Sequence, residues 1–190
     1  LYSLVEKSSF DQIHSEDEAI SILEEVLKKS IKYQSIADVP LGTFLSGGID
    51  SSLITSLLQS QSKNKVKTFT IGFEEEKFNE APFSKEVAKY LDTDHTEIYL
   101  TSKEVQNLIP NLNSIYSEPF ADPSQIPTHL LCREVRNSGL KIALSGDGGD
   151  ELFGGYNRYF LGEKIWKRMD LIPFNIRKLI GGIGLNISSD

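Results

Sequence analysis

The sequence predicts an α/β fold, a mostly parallel sheet with helices on both faces. Three observations lead to this prediction. Segments with strand and helix patterns alternate along the 190 residues, and such alternation forms parallel sheets with right-handed crossovers. A loop of glycine and serine follows the first predicted strand, and a loop of glycine and acidic residues follows the last one. Because ligands bind at the carboxyl ends of parallel strands, both loops are expected to face one cleft.

The first half of the chain begins with a helix predicted from residue 16 to about residue 34. Ser15 and Glu18 form a capping-box pattern, and apolar residues at helical spacing give a stripe wide enough to pack on a sheet. A short apolar run predicts a buried strand at residues 39–45. Leucine and isoleucine at helical spacing then predict a helix at residues 51–61.

Two further strand and helix pairs are predicted in the middle of the chain. Alternating β-branched and aromatic residues predict a strand at residues 66–73. Apolar periodicity predicts helices at about 82–91 and 102–116, with a strand at 95–100 between them. A loop rich in Pro, Asp and Ser precedes a last helix of this part, at residues 125–137.

The loop after the first strand reads Ser-Gly-Gly-Ile-Asp-Ser-Ser at residues 46–52. Backbone amides at a helix N-terminus bind anions, because their N–H groups are unpaired and the helix dipole favours negative charge. The predicted ligand is therefore a phosphate. The loop is neither a Walker loop nor a dinucleotide fingerprint, since no lysine lies between Pro40 and Gln61 and the Gly-x-Gly-x-x-Gly order is absent. The alternative is an ordinary tight turn in which glycines serve geometry and serines cap the helix.

The second loop, residues 145–151, follows a strongly apolar strand predicted at residues 141–144. It contains three glycines and three acidic residues. Carboxylate oxygens suit Mg²⁺, which usually takes one or two of them together with substrate phosphates. This loop is therefore predicted to be a Mg²⁺ and phosphate site, and the alternative is a solvated acidic turn.

Composition excludes several classes of function. A net charge of −7 argues against a nucleic-acid surface, and no apolar run approaches the ~18 residues of a membrane span. The single cysteine, Cys132, excludes an internal disulfide and fits a reducing, cytoplasmic setting; its apolar neighbours predict a buried helix position. His14, His95 and His129 lack metal-ligand spacing. The aromatic residues between 153 and 166 are expected to pack a helix on the core, and stacking on a base is the alternative.

Several motifs in order resemble a known family. The Ser-Gly-Gly-x-Asp-Ser order resembles the pyrophosphate loop of ATP pyrophosphatases, and residues 145–156 resemble the second signature of asparagine synthetases. Residues 67–73 and 122–128 also resemble that family, and the similarity covers residues 16–160. It implies an adenine nucleotide alpha hydrolase-like fold. It also implies a synthetase that activates the aspartate side chain with ATP, releases pyrophosphate and lets ammonia displace AMP.

The resemblance implies a role for residues of both loops and of the second strand. Adenine and ribose would be bordered by Phe44, Leu45 and Ile71. The β and γ phosphates would be held by Ser46, Gly47, Gly48, Ser51 and Ser52. Mg²⁺ on the pyrophosphate would be coordinated by Asp50 and Asp150. The nucleotide and the acyl-adenylate would be approached by Ser145 and Gly146. The reacting carbonyl would lie beside Asp147, which would accept a proton from attacking ammonia.

The chain differs from the family pattern in ways that bear on the substrate. Many members have Glu where this chain has Asp147, and some have an arginine near Pro123 and Ser124. Family members also carry a catalytic lysine further downstream. Two alternatives therefore stay open. One is a related amide-forming ATP pyrophosphatase, similar to β-lactam synthetases, that acts on another carboxylate. The other is a truncated ATP-binding module without turnover.

The expected organisation is a linker at residues 1–15, a synthetase domain at 16–160 and the helical start of a truncated C-terminal region at 161–190. The glutaminase half of these enzymes uses an N-terminal cysteine as nucleophile, and no cysteine precedes Cys132. The chain would therefore need free ammonia or a separate glutaminase domain. The resemblance implies such a domain N-terminal to this chain in the full-length protein. A homodimer is an open possibility for the assembly.

Overall fold

The computed structural model describes residues 14–73, 79–119, 121–174 and 176–178. Eight α-helices lie wholly within these ranges: α1 (Glu16–Gln34), α2 (Ile49–Gln61), α3 (Ala81–Leu91), α4 (Ser102–Leu108), α5 (Leu112–Ile115), α6 (Gln125–Asn137), α7 (Gly149–Phe153) and α8 (Asn157–Asp170). The four strands in the same ranges are β1 (Leu41–Phe44), β2 (Lys67–Phe73), β3 (Asp94–Leu100) and β4 (Ile142–Leu144).

The four strands form one parallel sheet in the order β3-β2-β1-β4. Thr43 at the centre of β1 pairs with Thr68 of β2 on one side and with Leu144 of β4 on the other. Each strand of a parallel pair needs a crossover to reach the next, and α2, α3 and α6 supply these crossovers. The carboxyl ends of β1 and β4 are therefore neighbours, and each is followed by one of the two glycine-rich loops.

Helices cover both faces of the sheet. On one face, Ile31 of α1 and Leu57 of α2 pack in an apolar cluster that includes Leu41 of β1. On the other face, Val135 of α6 belongs to a cluster that includes Phe44 of β1. Side chains alternate across a strand, so residues 41 and 44 point to opposite faces. The prediction of an α/β fold with a mostly parallel sheet and helices on both faces is confirmed.

Local chemistry fixes the ends of the first helices. Ser15 caps α1 by accepting a hydrogen bond from the Glu18 N–H at 3.1 Å, and the Glu18 carboxylate accepts from the His14 N–H at 2.9 Å. Three acidic residues in the first turn add favourable charge at the positive end of the dipole. Helix α2 begins at Ile49, two residues before its predicted start, because Gly48 takes the extended N-cap conformation.

Three sequence predictions are wrong. The helix predicted at 102–116 is split by a 3-10 turn around Pro110, since proline lacks the N–H that an α-helix needs. Cys132 is exposed rather than buried. The aromatic residues of α8 do not pack on a core within the described residues, and Trp166 is 62% exposed.

The chain divides into two compact units, residues 1–146 and 147–190. This division falls inside the predicted synthetase domain of residues 16–160, and the assignment of that segment as one functional domain stays a prediction. Residues 1–13 of the predicted linker and most of residues 175–190 lie outside the described residues. Among the helices that the structure describes, none is both long and apolar enough to cross a membrane.

Candidate functional site

The loop at residues 46–48 begins where β1 leaves the sheet. Leu45 is 1% exposed, and its N–H donates to the Phe69 carbonyl at 2.8 Å. Gly47 then takes a φ of +81°, which favours glycine. A Cβ on Gly47 would lie 2.8 Å from the Ser84 nitrogen and from the Phe83 Cβ. The start of α3 therefore packs directly on this loop, which leaves no room for a side chain at position 47.

Serine hydroxyls fix the shape of the loop. Ser51 is 8% exposed, and its Oγ accepts from the Ser46 N–H at 3.2 Å and lies 2.9 Å from the Ser46 Oγ. The Ser46 Oγ in turn accepts from the Gly48 N–H at 3.2 Å. The hydroxyl of Ser51 is thus used within the loop, and its contribution to a ligand is to preorganise the backbone. The Ser52 Oγ is buried without a hydrogen-bond partner among the described residues.

The first turn of α2 presents backbone N–H groups and one carboxylate. Gly48 is the N-cap and no side chain caps this helix within the described residues, so the first N–H groups remain available to an anion. Asp50 lies in this turn and is half-buried. The helix has 13 residues, and its dipole adds a favourable potential for negative charge.

The second glycine-rich loop begins against this turn. A Cβ on Gly146 would lie 2.8 Å from the Ser51 nitrogen and 2.9 Å from the Asp50 Cβ. Only glycine therefore allows the chain after β4 to approach the α2 backbone so closely. Ser145, which precedes Gly146, is half-buried. The start of the second loop thus lies against the first loop's helix, and the expectation that both loops face one cleft stays a prediction.

A cavity of about 450 Å³ opens beside the first loop. Three predicted residues, Phe44, Leu45 and Ile71, line it together with Ser46. The remaining lining residues among those described are Phe69, Thr70, Phe73, Glu80, Pro127, Thr128 and Leu131. Sequence reasoning assigned no role to these seven, although five of them belong to the motifs at residues 67–73 and 122–128. The mostly apolar wall suits a flat, uncharged ring system.

The second unit contains the other two predicted site residues, Asp147 and Asp150. Asp147 is exposed and Asp150 is half-buried in the first turn of α7. A Cβ on Gly155 would lie 1.9 Å from the Asp150 Oδ1, so the carboxylate of Asp150 occupies the space where a side chain at position 155 would be. Gly155 is tied to the same residue by its N–H, which donates to the Asp150 carbonyl at 3.0 Å.

A polar cluster follows in the same unit. The Tyr156 hydroxyl donates to the Glu151 Oε1 at 2.6 Å, and the Arg158 guanidinium lies 4.2 Å from the centre of the Tyr156 ring. The hydrogen bond to Glu151 raises the pKa of Tyr156 to about 12 and lowers the pKa of the Glu151 carboxyl. Tyr156 thus acts as a neutral donor that braces the loop after α7.

The donor set limits which metal the described residues can bind. No group of three or more His, Cys, Asp or Glu residues converges on one point in the described ranges. A zinc site built from protein ligands alone would need such a group. Mg²⁺ does not, because it binds through one or two carboxylates and takes its other oxygens from phosphates and water. Asp50 in the first unit and Asp150 in the second unit each offer one carboxylate of that kind.

The chain is similar in sequence to several known proteins. The chain is 34% identical over 175 residues to asparagine synthetase [glutamine-hydrolyzing] 1 of Bacillus subtilis, a match that covers 92% of this chain and 27% of that protein. It is 37% identical over 172 residues to a putative asparagine synthetase [glutamine-hydrolyzing] 2 of Methanocaldococcus jannaschii, covering 90% of this chain and 32% of that protein. The chain thus spans about a quarter to a third of the length of these relatives.

An ammonia-dependent NAD synthetase from Campylobacter jejuni is a more distant structural neighbour, with a TM-score of 0.48, 15% identity, and coverage of 72% of this chain and 60% of that one. The family model described as asparagine synthase matches residues 22–186. That match covers most of the chain and includes both glycine-rich loops. The chain therefore belongs to the asparagine synthase family.

Proposed function

We propose that this chain is the synthetase part of an enzyme that converts aspartate to asparagine with ATP. The aspartate side-chain carboxylate attacks the α phosphorus, which gives β-aspartyl-AMP and pyrophosphate. Ammonia then attacks the acyl carbon and releases AMP and asparagine. The observation that carries this proposal is the contact of Gly146 with the first turn of α2, since it brings the start of the second family loop against the first.

The loop binds the phosphates of ATP in this proposal, and the cavity binds its adenine and ribose. The uncapped N–H groups of α2 and the loop around Gly47 and Gly48 hold the β and γ phosphates. Phe44, Leu45 and Ile71 border adenine and ribose in the apolar cavity. Ser46 and Ser51 keep the loop in shape through their hydroxyl groups, and Ser52 supplies a hydroxyl group close to the phosphates. Ser145 and Gly146 border the nucleotide from the second loop.

Charge is the main obstacle in the first step, because two anions must approach each other. Asp50 and Asp150 would hold Mg²⁺ on the pyrophosphate, and that ion, when bound, neutralises part of the charge that develops there. The backbone N–H groups at the α2 N-terminus stabilise the same negative charge on the pyrophosphate. Preorganised groups of this kind usually supply the largest part of catalysis.

In the second step a proton must leave the attacking ammonia. Asp147 is proposed to accept it, which prevents the amine from being expelled again. Its side chain is one methylene shorter than the glutamate that many family members have at this position. We therefore expect Asp147→Glu to retain more activity than Asp147→Asn, which cannot accept a proton.

The names of the relatives, which describe them as glutamine-hydrolysing, support a proposal for the source of ammonia. We propose a glutaminase domain N-terminal to this chain in the full-length protein, which delivers ammonia to the synthetase site. A cytoplasmic location and a homodimer belong to the same proposal.

The test is pyrophosphate release from Mg-ATP by the full-length natural protein with aspartate and ammonium. Asp50→Ala and Asp150→Ala are the test variants. The matched control is Glu86→Ala, because Glu86 is exposed on α3 and does not line the cavity. We expect aspartate-dependent pyrophosphate and AMP from the wild type and the control, and at least a ~100-fold loss in both aspartate variants.

The products distinguish the alternatives. ADP and phosphate instead of AMP and pyrophosphate would overturn the proposal, because cleavage would then occur at another bond. Pyrophosphate formed only with a different carboxylate would assign the chain to a related amide-forming enzyme. Binding of ATP without turnover in the full-length protein would leave only the binding function.

A further inference from the structure

We propose that Glu80 is a specificity-determining residue whose carboxylate accepts hydrogen bonds from the ribose hydroxyls of ATP. This inference rests on the ATP site proposed above. Glu80 lines the same cavity as Phe44, Leu45 and Ile71. Among the described residues of that lining, it has the one charged side chain. A single carboxylate in a largely apolar wall indicates a polar group of the ligand at that point.

The position of Glu80 is fixed by the start of α3. Glu80 is the N-cap residue of this helix, and its carbonyl accepts from the N–H groups of Phe83 and Ser84, each at 3.1 Å. The Asn79 Oδ1 accepts from the Ala81 N–H at 3.2 Å and fixes the backbone on the other side. The backbone of Glu80 is thus held by hydrogen bonds on both sides.

The same turn of α3 contacts the phosphate loop. A Cβ on Gly47 would lie 2.8 Å from the Phe83 Cβ and from the Ser84 nitrogen. The N–H groups of Phe83 and Ser84 both donate to the Glu80 carbonyl. Glu80 therefore lies beside the loop proposed for the phosphates while it lines the cavity proposed for the adenine. The ribose joins these two parts of ATP, so it is the part of the ligand expected to reach Glu80.

The chemistry of a carboxylate also favours the ribose over the phosphates as the partner of Glu80. A carboxylate only accepts hydrogen bonds and repels phosphate oxygens, whereas the 2′- and 3′-hydroxyls of ribose are neighbouring donors. Hydrogen bonds to a charged acceptor are roughly twice as strong as neutral ones. An acidic residue bonded to the ribose 2′-hydroxyl is also found in dinucleotide-binding sheets.

The carboxylate of Glu80 is available for such a ligand. Glu80 is exposed, and none of the ion pairs among the described residues involves it. Glu97 differs in this respect, since it is paired with Lys85 at 2.7 Å. Glu80 thus has no structural partner in the described part of the chain that a ligand would have to displace.

The experiment measures dissociation constants of Mg²⁺ complexes of ATP, 2′-deoxyATP and 3′-deoxyATP by calorimetry on the full-length protein. We expect the wild type to bind each deoxynucleotide about tenfold or more weakly than ATP, from the loss of one charge-assisted hydrogen bond. Glu80→Ala should bind all three nucleotides equally, and at least about tenfold more weakly than the wild type binds ATP. Glu80→Gln keeps the shape and one acceptor, so it should show intermediate discrimination. The matched control on the same helix, Glu86→Ala, should match the wild type.

Three results would overturn the inference, and they separate it from the proposed function. If the wild type binds ATP and both deoxynucleotides equally, the proposed role of Glu80 is contradicted, whereas the proposed function is not. If Glu80→Gln and Glu80→Ala weaken the binding of all three nucleotides by one common factor, Glu80 acts on another part of the ligand or on the fold. Absence of ATP binding to the wild type would overturn the proposed function, and this inference with it.

Discussion

At the scale of single residues, His95 shows how burial changes a titration. Its Nδ1 lies 2.8 Å from the Thr68 Oγ1, and its Nε2 is buried without a hydrogen-bond partner among the described residues. Burial lowers the pKa of His95 below its usual 6.5, and Lys85 adds to this effect while Glu97 opposes it. Burial outweighs the attraction to Glu97 here because the charged imidazolium would have to lose its hydration.

This predicts a loss of stability as the pH falls. In the unfolded chain His95 binds a proton near pH 6.5, whereas in the folded chain it does so only at lower pH. Between these two values the unfolded state binds more protons, so the free energy of unfolding decreases as the pH falls below about 6.5. We expect His95→Asn, which retains a polar atom near the Nδ1 position, to flatten this dependence in urea unfolding between pH 5.5 and 7.5. The exposed residue His14 gives the control His14→Asn, and an unchanged slope in His95→Asn would contradict the prediction.

Gly146 gives a second prediction at this scale. A Cβ at this position would meet backbone atoms, the Ser51 nitrogen at 2.8 Å and the Asp50 carbonyl carbon at 3.0 Å, and backbone cannot rotate away as a side chain can. Gly146→Ala must therefore shift the first turn of α2 or the loop after β4. Since a displacement of about 1 Å in an active site can cost about 100-fold in rate, we expect a 10- to 100-fold loss of pyrophosphate release.

The control for this substitution is Gly162→Ala. Gly162 lies in α8, and a Cβ there would have no atom within 4 Å. Alanine in a helix is favoured over glycine by roughly 0.5–1 kcal/mol, so this variant should keep its activity and gain slightly in stability. Equal rates of pyrophosphate release for Gly146→Ala and the wild type would show that activity does not depend on the close contact of Gly146 with α2.

At the scale of elements, β1 and α2 are joined by a buried pair of hydroxyls beneath the phosphate loop. Thr43 and Thr55 are both 0% exposed, and their Oγ1 atoms are 3.0 Å apart. Replacing one threonine by valine leaves the other hydroxyl without this partner, which costs about 1–3 kcal/mol. The double variant removes both polar groups together, so it should be close to the wild type in stability.

Urea unfolding of the wild type, Thr43→Val, Thr55→Val and the double variant completes this cycle. A coupling free energy of about 1 kcal/mol or more is expected, because the two hydroxyls share one interaction. Thr96→Val on β3 is the control, since Thr96 is exposed and surface substitutions usually stay within about 0.5 kcal/mol. Additive effects of the two single substitutions would show that the hydroxyl pair does not join the two elements.

Sequence patterns predict the elements of this fold well, because its strands and helices are short and have clear apolar periods. The strands begin and end within two residues of their predicted limits. Cys132 was misplaced because its apolar neighbours suggested burial. Each helical residue rotates by about 100°, so Cys132 lies on the opposite side of α6 from the fully buried Leu130.

The candidate site was predicted less completely than the fold, for a different reason. The residues of the two loops are adjacent in sequence, and their motifs identify them. Glu80 has no such motif, and it reaches the cavity only because α3 packs on Gly47. That contact depends on the close approach of backbone to backbone, which composition and periodicity do not encode.

At the scale of the whole molecule, the described core belongs to the first unit. All apolar side chains that are buried among the described residues lie between Ile31 and Leu140. They form clusters on both faces of the sheet, and the largest contains Leu100, Leu108 and Leu130 with partly buried neighbours. In the second unit, the apolar residues of α8 are exposed. Stability of the 190-residue chain should therefore depend on the sheet and its helices.

This difference predicts a large loss of stability for one truncation of a large apolar side chain and almost none for another. Leu130 is 0% exposed and Trp166 is 62% exposed. Leu130→Ala opens a cavity in a close-packed cluster and should cost about 2–5 kcal/mol. Trp166→Ala removes a larger side chain but loses little buried surface, so it should stay within about 0.5 kcal/mol. Urea unfolding of the 190-residue chain followed by circular dichroism is the right measurement, because Trp166 is the sole tryptophan and its removal abolishes the fluorescence signal. A cost above about 1 kcal/mol for Trp166→Ala would show that α8 buries its aromatic face in solution, and a small cost for Leu130→Ala would contradict the location of the core.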